Sequence, residues 1–245
     1  MRSIIRKLLG KIPYSSFGLS NEPNRDAWVE KTLKKIPGGL RLLDAGAGEQ
    51  KFKKYCTHLN YVSQDFAQYK PEEKKEGLQM ETWDYGKLDI ISDIASIPEP
   101  DKSFDAILCT EVFEHIVNPI EAIKEFARLL KPGGHAIITA PFCSLTHFAP
   151  YHFYSGFNTY FYEKCFKDSG FEIIEMTPNG NYFEYIAQEM QRLPAIASKY
   201  SKHSVNKNDQ RIISESIQLL EKISANEKGS SELLNNGWQV FAKKI

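Results

Sequence analysis

The sequence predicts an α/β protein built on a mostly parallel sheet. Short apolar runs alternate with segments of helical pattern along the chain, and the runs end in an acidic residue or in spaced glycines. With 245 residues, 42% of them hydrophobic, the chain can bury a full core. We therefore expect one main domain with helices on a mostly parallel sheet.

The first predicted strand ends in the stretch 42–50, where an apolar run leads into Asp44 and two glycines, Gly46 and Gly48. This pattern predicts a buried strand that turns into a helix, because glycines let the backbone turn tightly and approach a ligand. A dinucleotide-binding turn would have a third glycine at position 51. That position is Lys51, which argues against NAD.

The remaining elements follow at regular intervals. Further strands are predicted at Asn60–Phe66, Leu88–Ile94, Phe104–Cys109, His135–Ala140, Phe171–Met176 and Gly237–Lys243. Helices are predicted at Asn24–Ile36, from Pro119 to the breaker Lys131–Gly134, at Tyr182–Leu193 and at Asp209–Ile223, with Pro194 ending the third. Asp65 ends the second strand about twenty residues after Asp44, a spacing at which a carboxylate reaches ribose hydroxyls.

Four segments together resemble the class I S-adenosylmethionine-dependent methyltransferases. They are DAGAG (Asp44–Gly48), SQDF (Ser63–Phe66), Ser92–Ile116 and LLKPGGHAIITAP (Leu129–Pro141), within roughly residues 40 to 175. The resemblance implies a Rossmann-like sheet of seven strands, mostly parallel, with an antiparallel edge strand. About sixty residues separate the last two strands, so we also expect a helical insertion before the last strand.

The resemblance also implies cofactor-binding residues for S-adenosyl-L-methionine. The glycine turn at Gly46 and Gly48 passes beneath the methionine part, Asp65 holds the ribose, and Asp93 with Ile94 contacts the adenine. Phe66 is predicted to pack on the adenine, and Asp44, Thr110 and Glu111 complete the predicted set. Acidic residues suit these places because the ribose hydroxyls and the adenine amine are hydrogen-bond donors.

The loop 141–154 after the fifth strand is the predicted acceptor site, because open α/β folds bind ligands at the carboxyl edge of the sheet. Phe142, Tyr151 and Tyr154 are predicted to bind substrate. His152 or His147 is predicted to be a general base, with His152 favoured because it lies in the denser aromatic cluster. Alternatively, both histidines only bind substrate or form hydrogen bonds within the loop. His115 is predicted to be structural. No metal site is predicted.

Domain boundaries and partners follow from composition. We expect a basic amphipathic segment at 1–20, a methyltransferase domain at 21–180 with 236–245, and a helical insertion at 181–235. Residues 1–12 favour either packing on the protein's own domain or on a partner, or a peripheral contact with the inner face of a membrane. The 31 basic and 31 acidic residues give no net positive charge that would attract nucleic acid. The four cysteines are expected to be reduced, as in a cytoplasmic protein.

Several functions fit the pattern. The stretches His147–Tyr154 and Asn179–Glu184 are similar to methyltransferases of bacterial surface-polysaccharide biosynthesis, which implies a sugar hydroxyl on a small-molecule or glycan acceptor. A quinone precursor or phenol is the alternative acceptor. Two other functions remain as interpretations. One is a non-catalytic subunit that binds S-adenosylmethionine. The other is a nucleotide-sugar oxidoreductase, which is disfavoured because Lys51 stands where a dinucleotide-binding turn has its third glycine.

Overall fold

A computed structural model describes residues 15–71 and 76–245. The basic amphipathic stretch predicted at 1–12 lies outside the described residues. The seven strands are β1 (Arg41–Ala45), β2 (Asn60–Asp65), β3 (Ile90–Ile91), β4 (Phe104–Thr110), β5 (Leu130–Ala140), β6 (Phe171–Pro178) and β7 (Trp238–Lys244). They form one sheet in the order β3-β2-β1-β4-β5-β7-β6. Neighbouring strands from β3 to β5 are parallel, and β7 is antiparallel to β5.

The predicted fold class is confirmed, with one detail added. The antiparallel strand β7 lies between β5 and β6, one place in from the edge, so that β6 is the outermost strand. The described helices are α1 (Asn21–Leu33), α2 (Pro119–Leu129), α3 (Thr159–Asp168), α4 (Tyr182–Tyr200) and α5 (Lys207–Ser224). None of them combines the length and the hydropathy that a bilayer-spanning helix needs.

The sheet separates two hydrophobic clusters, as expected when successive strand residues point to opposite faces. Leu43 of β1 joins the cluster that contains Phe126 of α2 and Phe166 of α3. Its neighbour Leu42 joins the cluster that contains Leu33 of α1. Helices therefore cover both faces of the sheet and leave the carboxyl ends of the parallel strands as a rim for a site.

The chain divides into two compact units. The larger contains Arg25–Thr177 and Gly237–Ile245, and therefore most of the sheet. The smaller contains Pro178–Asn236 and the described residues up to Asn24. Helices α4 and α5 build its core, where Ala187 packs with Ile213 and Ile217.

Some element boundaries differ from the sequence predictions. After β1 the chain forms turns and a short 3-10 helix (Lys53–Tyr55) instead of an α-helix, because Gly46, Gly48 and Gln50 all have positive φ. Strand β5 begins at Leu130, and the predicted breaker Lys131–Gly134 lies within it at a register shift against β4. Helix α3 was not predicted.

Two further boundaries have local causes. Strand β3 is only two residues long because the Asp89 carboxylate accepts the Ser63 N–H (2.9 Å) in place of a ladder bond. Helix α4 continues through Pro194 to Tyr200, although a proline was expected to end it. The proline removes one helical hydrogen bond, to the Met190 carbonyl, and the remaining turns of the helix tolerate this loss.

Candidate active site

The turn after β1 has a backbone that only glycine accommodates easily. Gly46 has φ +75° and Gly48 has φ +50°. A Cβ at Gly46 would lie 2.5 Å from Val112 Cγ2, and a Cβ at Gly48 would lie 2.7 Å from Trp83 Cζ2. The Gly46 N–H donates to the Gln64 carbonyl at 2.9 Å, which ties the turn to the end of β2. The turn is therefore a fixed, narrow cradle at the carboxyl edge of the sheet.

Asp65, the acid that ends β2, lies against this turn. Its side chain is buried; Oδ2 accepts the Gly48 N–H at 2.9 Å and Oδ1 accepts the Ala67 N–H at 2.9 Å. Burial raises the pKa of Asp65, and the backbone N–H groups counteract part of that rise. Each carboxylate oxygen has two lone pairs, so the group can accept further hydrogen bonds from a ligand hydroxyl.

Asp44 is the penultimate residue of β1 and is also buried. Its Oδ2 accepts the Tyr61 hydroxyl at 2.6 Å. Burial raises the pKa of Asp44 to about 7, the Tyr61 hydrogen bond lowers it, and the Asp65 charge raises it. Asp44 and Asp65 are thus two close carboxyl groups at one turn, and burial raises the pKa of both.

A cluster of aromatic side chains covers the turn. Tyr69 stacks on Phe148 with ring centroids 4.2 Å apart, and Trp83 meets Phe148 edge to face at 4.9 Å. The segment that follows β2 pairs with the loop after β5, because the Leu78 N–H donates to the Thr146 carbonyl at 2.8 Å. Aromatic rings therefore connect the glycine turn to the predicted acceptor loop.

Three imidazole rings meet at that loop: His147 and His152 belong to it, and His115 follows β4. The ring centroids of His115 and His147 are 4.6 Å apart, and those of His147 and His152 are 4.8 Å apart. His152 Nε2 is 3.2 Å from Ser144 Oγ. Burial lowers the pKa of His152, so its imidazole is neutral at pH 7 and can accept a proton. The structure brings both predicted base candidates together with His115.

Glu114 lies beneath these rings. Its side chain is 1% exposed, and its Oε1 is 3.6 Å from His115 Nε2 and 3.9 Å from His147 Nε2. Burial raises the pKa of Glu114 well above its ordinary value, and the charge of Glu111 adds to the rise. Burial also lowers the pKa of His115 to about 3, with His147 adding to the effect.

Glu111 begins the segment after β4 with φ +55°, an uncommon value for a non-glycine residue. Its carboxylate accepts from Arg25 at 2.7 Å and from the Thr139 hydroxyl at 2.9 Å. These two contacts and the Glu111 N–H bond to the Thr139 carbonyl fix the strained backbone at the end of β4. Thr110 pairs with Thr139 in the sheet at the same rim.

The other predicted site residues have different surroundings. Asp93 is exposed and accepts the Ala95 N–H at 2.8 Å, and Ile94 belongs to the core cluster. Phe66 meets the ring of Tyr151 edge to face at 4.9 Å. Phe142 packs against the core near Trp238. Tyr154 is 38% exposed and donates its hydroxyl hydrogen to the Val117 carbonyl at 2.9 Å.

Four residues of the site were missed in the sequence. Trp83 and Tyr69 lie in a segment with no strand or helix pattern, and Arg25 reaches the site from a helix that precedes β1. Glu114 follows Glu111 by three residues just after a predicted strand, and two carboxylates so placed are the signal that could have identified it.

This chain is similar to known methyltransferases over part of its length. A sequence profile described as a methyltransferase domain matches residues 21–176. A ubiquinone biosynthesis O-methyltransferase of Xanthomonas oryzae pv. oryzae (strain PXO99A) is 33% identical over 107 residues, which cover 41% of this chain and 43% of that protein. A protein from Schizosaccharomyces pombe named uncharacterized methyltransferase C1B3.06c is 30% identical over 112 residues, covering 42% of this chain and 40% of that one. The chain thus spans less than half the length of these curated relatives.

Solved structures share the fold at low identity. The [4+2]-cyclase SpnF superposes with a TM-score of 0.54 at 18% identity, covering 89% of this chain and 80% of that one. Phosphoethanolamine N-methyltransferase 2 of Haemonchus contortus, solved in complex with S-adenosyl-L-methionine, gives a TM-score of 0.53 at 20% identity, covering 90% of this chain and 52% of that one. Since the profile matches more than half of the chain, this protein belongs to the methyltransferase domain family and has the fold of the class I S-adenosylmethionine-dependent methyltransferases.

Proposed function

We propose that this protein transfers a methyl group from S-adenosylmethionine to a hydroxyl oxygen of a small-molecule or glycan acceptor. The observation that carries the proposal is one juxtaposition: the glycine turn against Asp65 lies at the same sheet rim as the aromatic loop that holds His152. A cofactor cradle and a neutral base at one rim are what methyl transfer to a hydroxyl needs.

The residues of the rim suit this cofactor. A side chain at Gly46 or Gly48 would collide with Val112 or Trp83, so glycine lets this turn keep the tight backbone of a cofactor cradle. Asp65 offers spare lone pairs to ribose hydroxyls, and the rings of Phe66 and Tyr151 offer flat apolar surface to an adenine. When bound, S-adenosylmethionine supplies an electrophilic methyl group and leaves as a neutral thioether.

The protein's own part in the reaction is to position the acceptor and remove a proton. His152 takes the proton of the acceptor hydroxyl through a ring nitrogen, and Ser144 orients its ring through the 3.2 Å contact to Nε2. Partial burial in this loop lowers the pKa of His152, which keeps the imidazole neutral at pH 7. Asp44 and Asp65 lie at the glycine turn, so that the acids sit with the cofactor's polar groups.

A sugar hydroxyl in surface-polysaccharide biosynthesis is the first acceptor class, supported by the likeness of His147–Tyr154 to methyltransferases of that kind. A phenol or quinone precursor is the second. It is supported by curated relatives named ubiquinone biosynthesis O-methyltransferases. Both classes present a hydroxyl next to a face that can stack on an aromatic ring.

The test is formation of S-adenosylhomocysteine with a panel of nucleotide sugars, glycans, catechols and phenols. With an accepted substrate, His152→Ala is expected to lower kcat by about 10²–10⁴, the usual contribution of a general base, with little change in cofactor affinity. His135→Ala is the matched control, since His135 lies on β5 and stacks on Phe241. An effect on KM alone would assign His152 to substrate binding, and no turnover with any hydroxyl acceptor would contradict the proposal.

A further inference from the structure

Glu114, His115 and His147 converge in the larger unit, from two segments far apart in sequence. One ligand-type atom from each, a carboxylate oxygen and two imidazole nitrogens, lies within 4.8 Å of the others. The two measured distances from Glu114 Oε1 are 3.6 Å to His115 Nε2 and 3.9 Å to His147 Nε2. Ligand atoms on a tetrahedral ion with bonds of about 2.0–2.1 Å are about 3.3 Å apart, so small side-chain rotations would bring these atoms to ligation distance.

The hydrogen bonds of the outer nitrogens decide which ring nitrogens carry lone pairs. His115 Nδ1 contacts the Tyr151 carbonyl, and His147 Nδ1 contacts the Leu145 carbonyl at 2.8 Å. A carbonyl only accepts, so in both rings Nδ1 carries the proton and donates. In the neutral rings Nε2 is then the acceptor, and both Nε2 atoms face the carboxylate of Glu114. Three acceptor atoms pointed at one another require either a proton or a metal ion between them.

Glu114 supplies an independent observation. Its side chain is 1% exposed, and its Oε2 has no hydrogen-bond partner among the described residues. A buried carboxylate oxygen without a partner costs free energy, and it persists where a ligand completes it.

We propose that Glu114, His115 and His147 form a binding site for a divalent first-row transition-metal ion. Two imidazoles with one carboxylate suit zinc, iron(II), cobalt(II) or manganese(II), whereas magnesium and calcium take oxygen ligands. Each outer nitrogen already donates to a backbone carbonyl, the contact that orients histidines bound to a metal ion. This proposal departs from the sequence expectation that the protein has no metal site.

The loop after β5 holds the ligands in place. The Phe153 N–H donates to the Glu114 carbonyl at 2.8 Å, so the segment that carries Glu114 and His115 is tied to the loop that carries His147. The ring of His152 lies next to that of His147. If the ion has a part in catalysis, that part rests on the proposed function: it would hold the acceptor oxygen and favour its deprotonation by His152.

The experiment measures metal binding directly, without cofactor or acceptor. Full-length protein stripped with a chelator is titrated with Zn²⁺ in a calorimeter, and with Co²⁺ while its visible absorption is recorded. We expect one ion per chain and a Co²⁺ spectrum of a nitrogen- and oxygen-ligated site. His147→Ala, a substitution at a partly exposed side chain, and Glu114→Gln should each weaken Zn²⁺ binding by about tenfold or more. His58→Ala, at an exposed residue, should leave it unchanged.

Each outcome decides the matter. One ion bound by the native chain and lost in His147→Ala supports the site, whether or not methyl transfer is detected. No Zn²⁺ or Co²⁺ binding, or binding that survives both His147→Ala and Glu114→Gln, would overturn it, and Glu114 would then be a protonated acid that donates to a histidine. Metal binding without turnover of any hydroxyl acceptor would instead contradict the proposed function.

Discussion

At the scale of single residues, the buried pair under the glycine turn has the clearest consequence. Asp44 is 2% exposed and has a pKa of about 7, far above its ordinary 3.8, chiefly because of burial. The folded state therefore binds one proton more than the unfolded state between about pH 4 and pH 7. The contribution of Asp44 to stability is greatest at low pH and is lost as the pH rises.

We expect the free energy of unfolding to fall with rising pH through this window, by up to about 1.4 kcal/mol per pH unit from this group. Asp44→Asn keeps an acceptor for the Tyr61 hydroxyl and removes the titrating carboxyl group. The free energy of unfolding of this variant should therefore lack the fall with rising pH that Asp44 causes. Denaturant unfolding of both proteins at pH 4.5 and pH 8 measures the difference. If Asp44→Asn gains no stability relative to the native chain at the higher pH, Asp44 is ionised at little cost.

Local spacing was enough to predict some residues of the site and not others. Gly46, Gly48 and Asp65 were identified because a strand, a turn and the next strand end are close in sequence. Trp83 was not, because its contact with Gly48 joins residues 35 positions apart through a segment without periodicity. The meeting of His115 with His147 likewise depends on how two loops pack, which no local pattern contains.

At the scale of elements, the two long helices of the smaller unit begin in the same way. Asn181 caps α4 and Asn206 caps α5, each as a capping box with the acid three residues later. Asn181 also donates from Nδ2 to Ser224 Oγ at 2.8 Å, which joins the start of α4 to the end of α5. The Asn179–Glu184 stretch, singled out in the sequence for its likeness to polysaccharide methyltransferases, thus has a structural role of its own.

These two caps make a matched pair of substitutions. Asn181→Ala should lower stability by about 0.5–2 kcal/mol for the cap, and by about 1 kcal/mol more for the Ser224 bond. Asn206→Ala should cost only the cap, because Asn206 is exposed. Thermal unfolding followed by circular dichroism, with amide exchange of α4 and α5 to locate the loss, gives both values. Equal losses in the two variants would mean that the bond to Ser224 contributes nothing.

At the scale of the whole molecule, the architecture was predictable because each βα unit carries its own signals. The alternation of apolar runs with helical segments predicted the parallel part of the sheet, and the sixty-residue gap between the last two strands predicted the helices α4 and α5. The placement of β7 inside the sheet was not predictable in this way. Strand order depends on pairing between β5 and β7, which are separated by the smaller unit in sequence.

The thermal stability of the whole chain should also show which cofactor it binds. A ligand at 100 times its dissociation constant adds about 2.7 kcal/mol to the free energy of unfolding, which for a domain of this size raises Tm by about 5–10 °C. We expect S-adenosylmethionine and S-adenosylhomocysteine to produce such a shift and NAD to produce none, because Lys51 stands where a dinucleotide turn has its third glycine.

The matched variant is Gly48→Ala, whose Cβ would lie 2.7 Å from the Trp83 ring at a backbone φ of +50°. It should fold with lower stability and lose most of the shift caused by S-adenosylmethionine, since the new methyl group displaces either the turn or the ring beside it. Gly39→Ala is its control, because Gly39 also has positive φ (+78°) but no atom lies within 4 Å of the added Cβ. That variant carries the backbone strain without the steric clash, so it should keep the full shift. A shift with NAD that Gly48→Ala abolishes, and none with S-adenosylmethionine, would make the rim a dinucleotide site and remove the basis for methyl transfer.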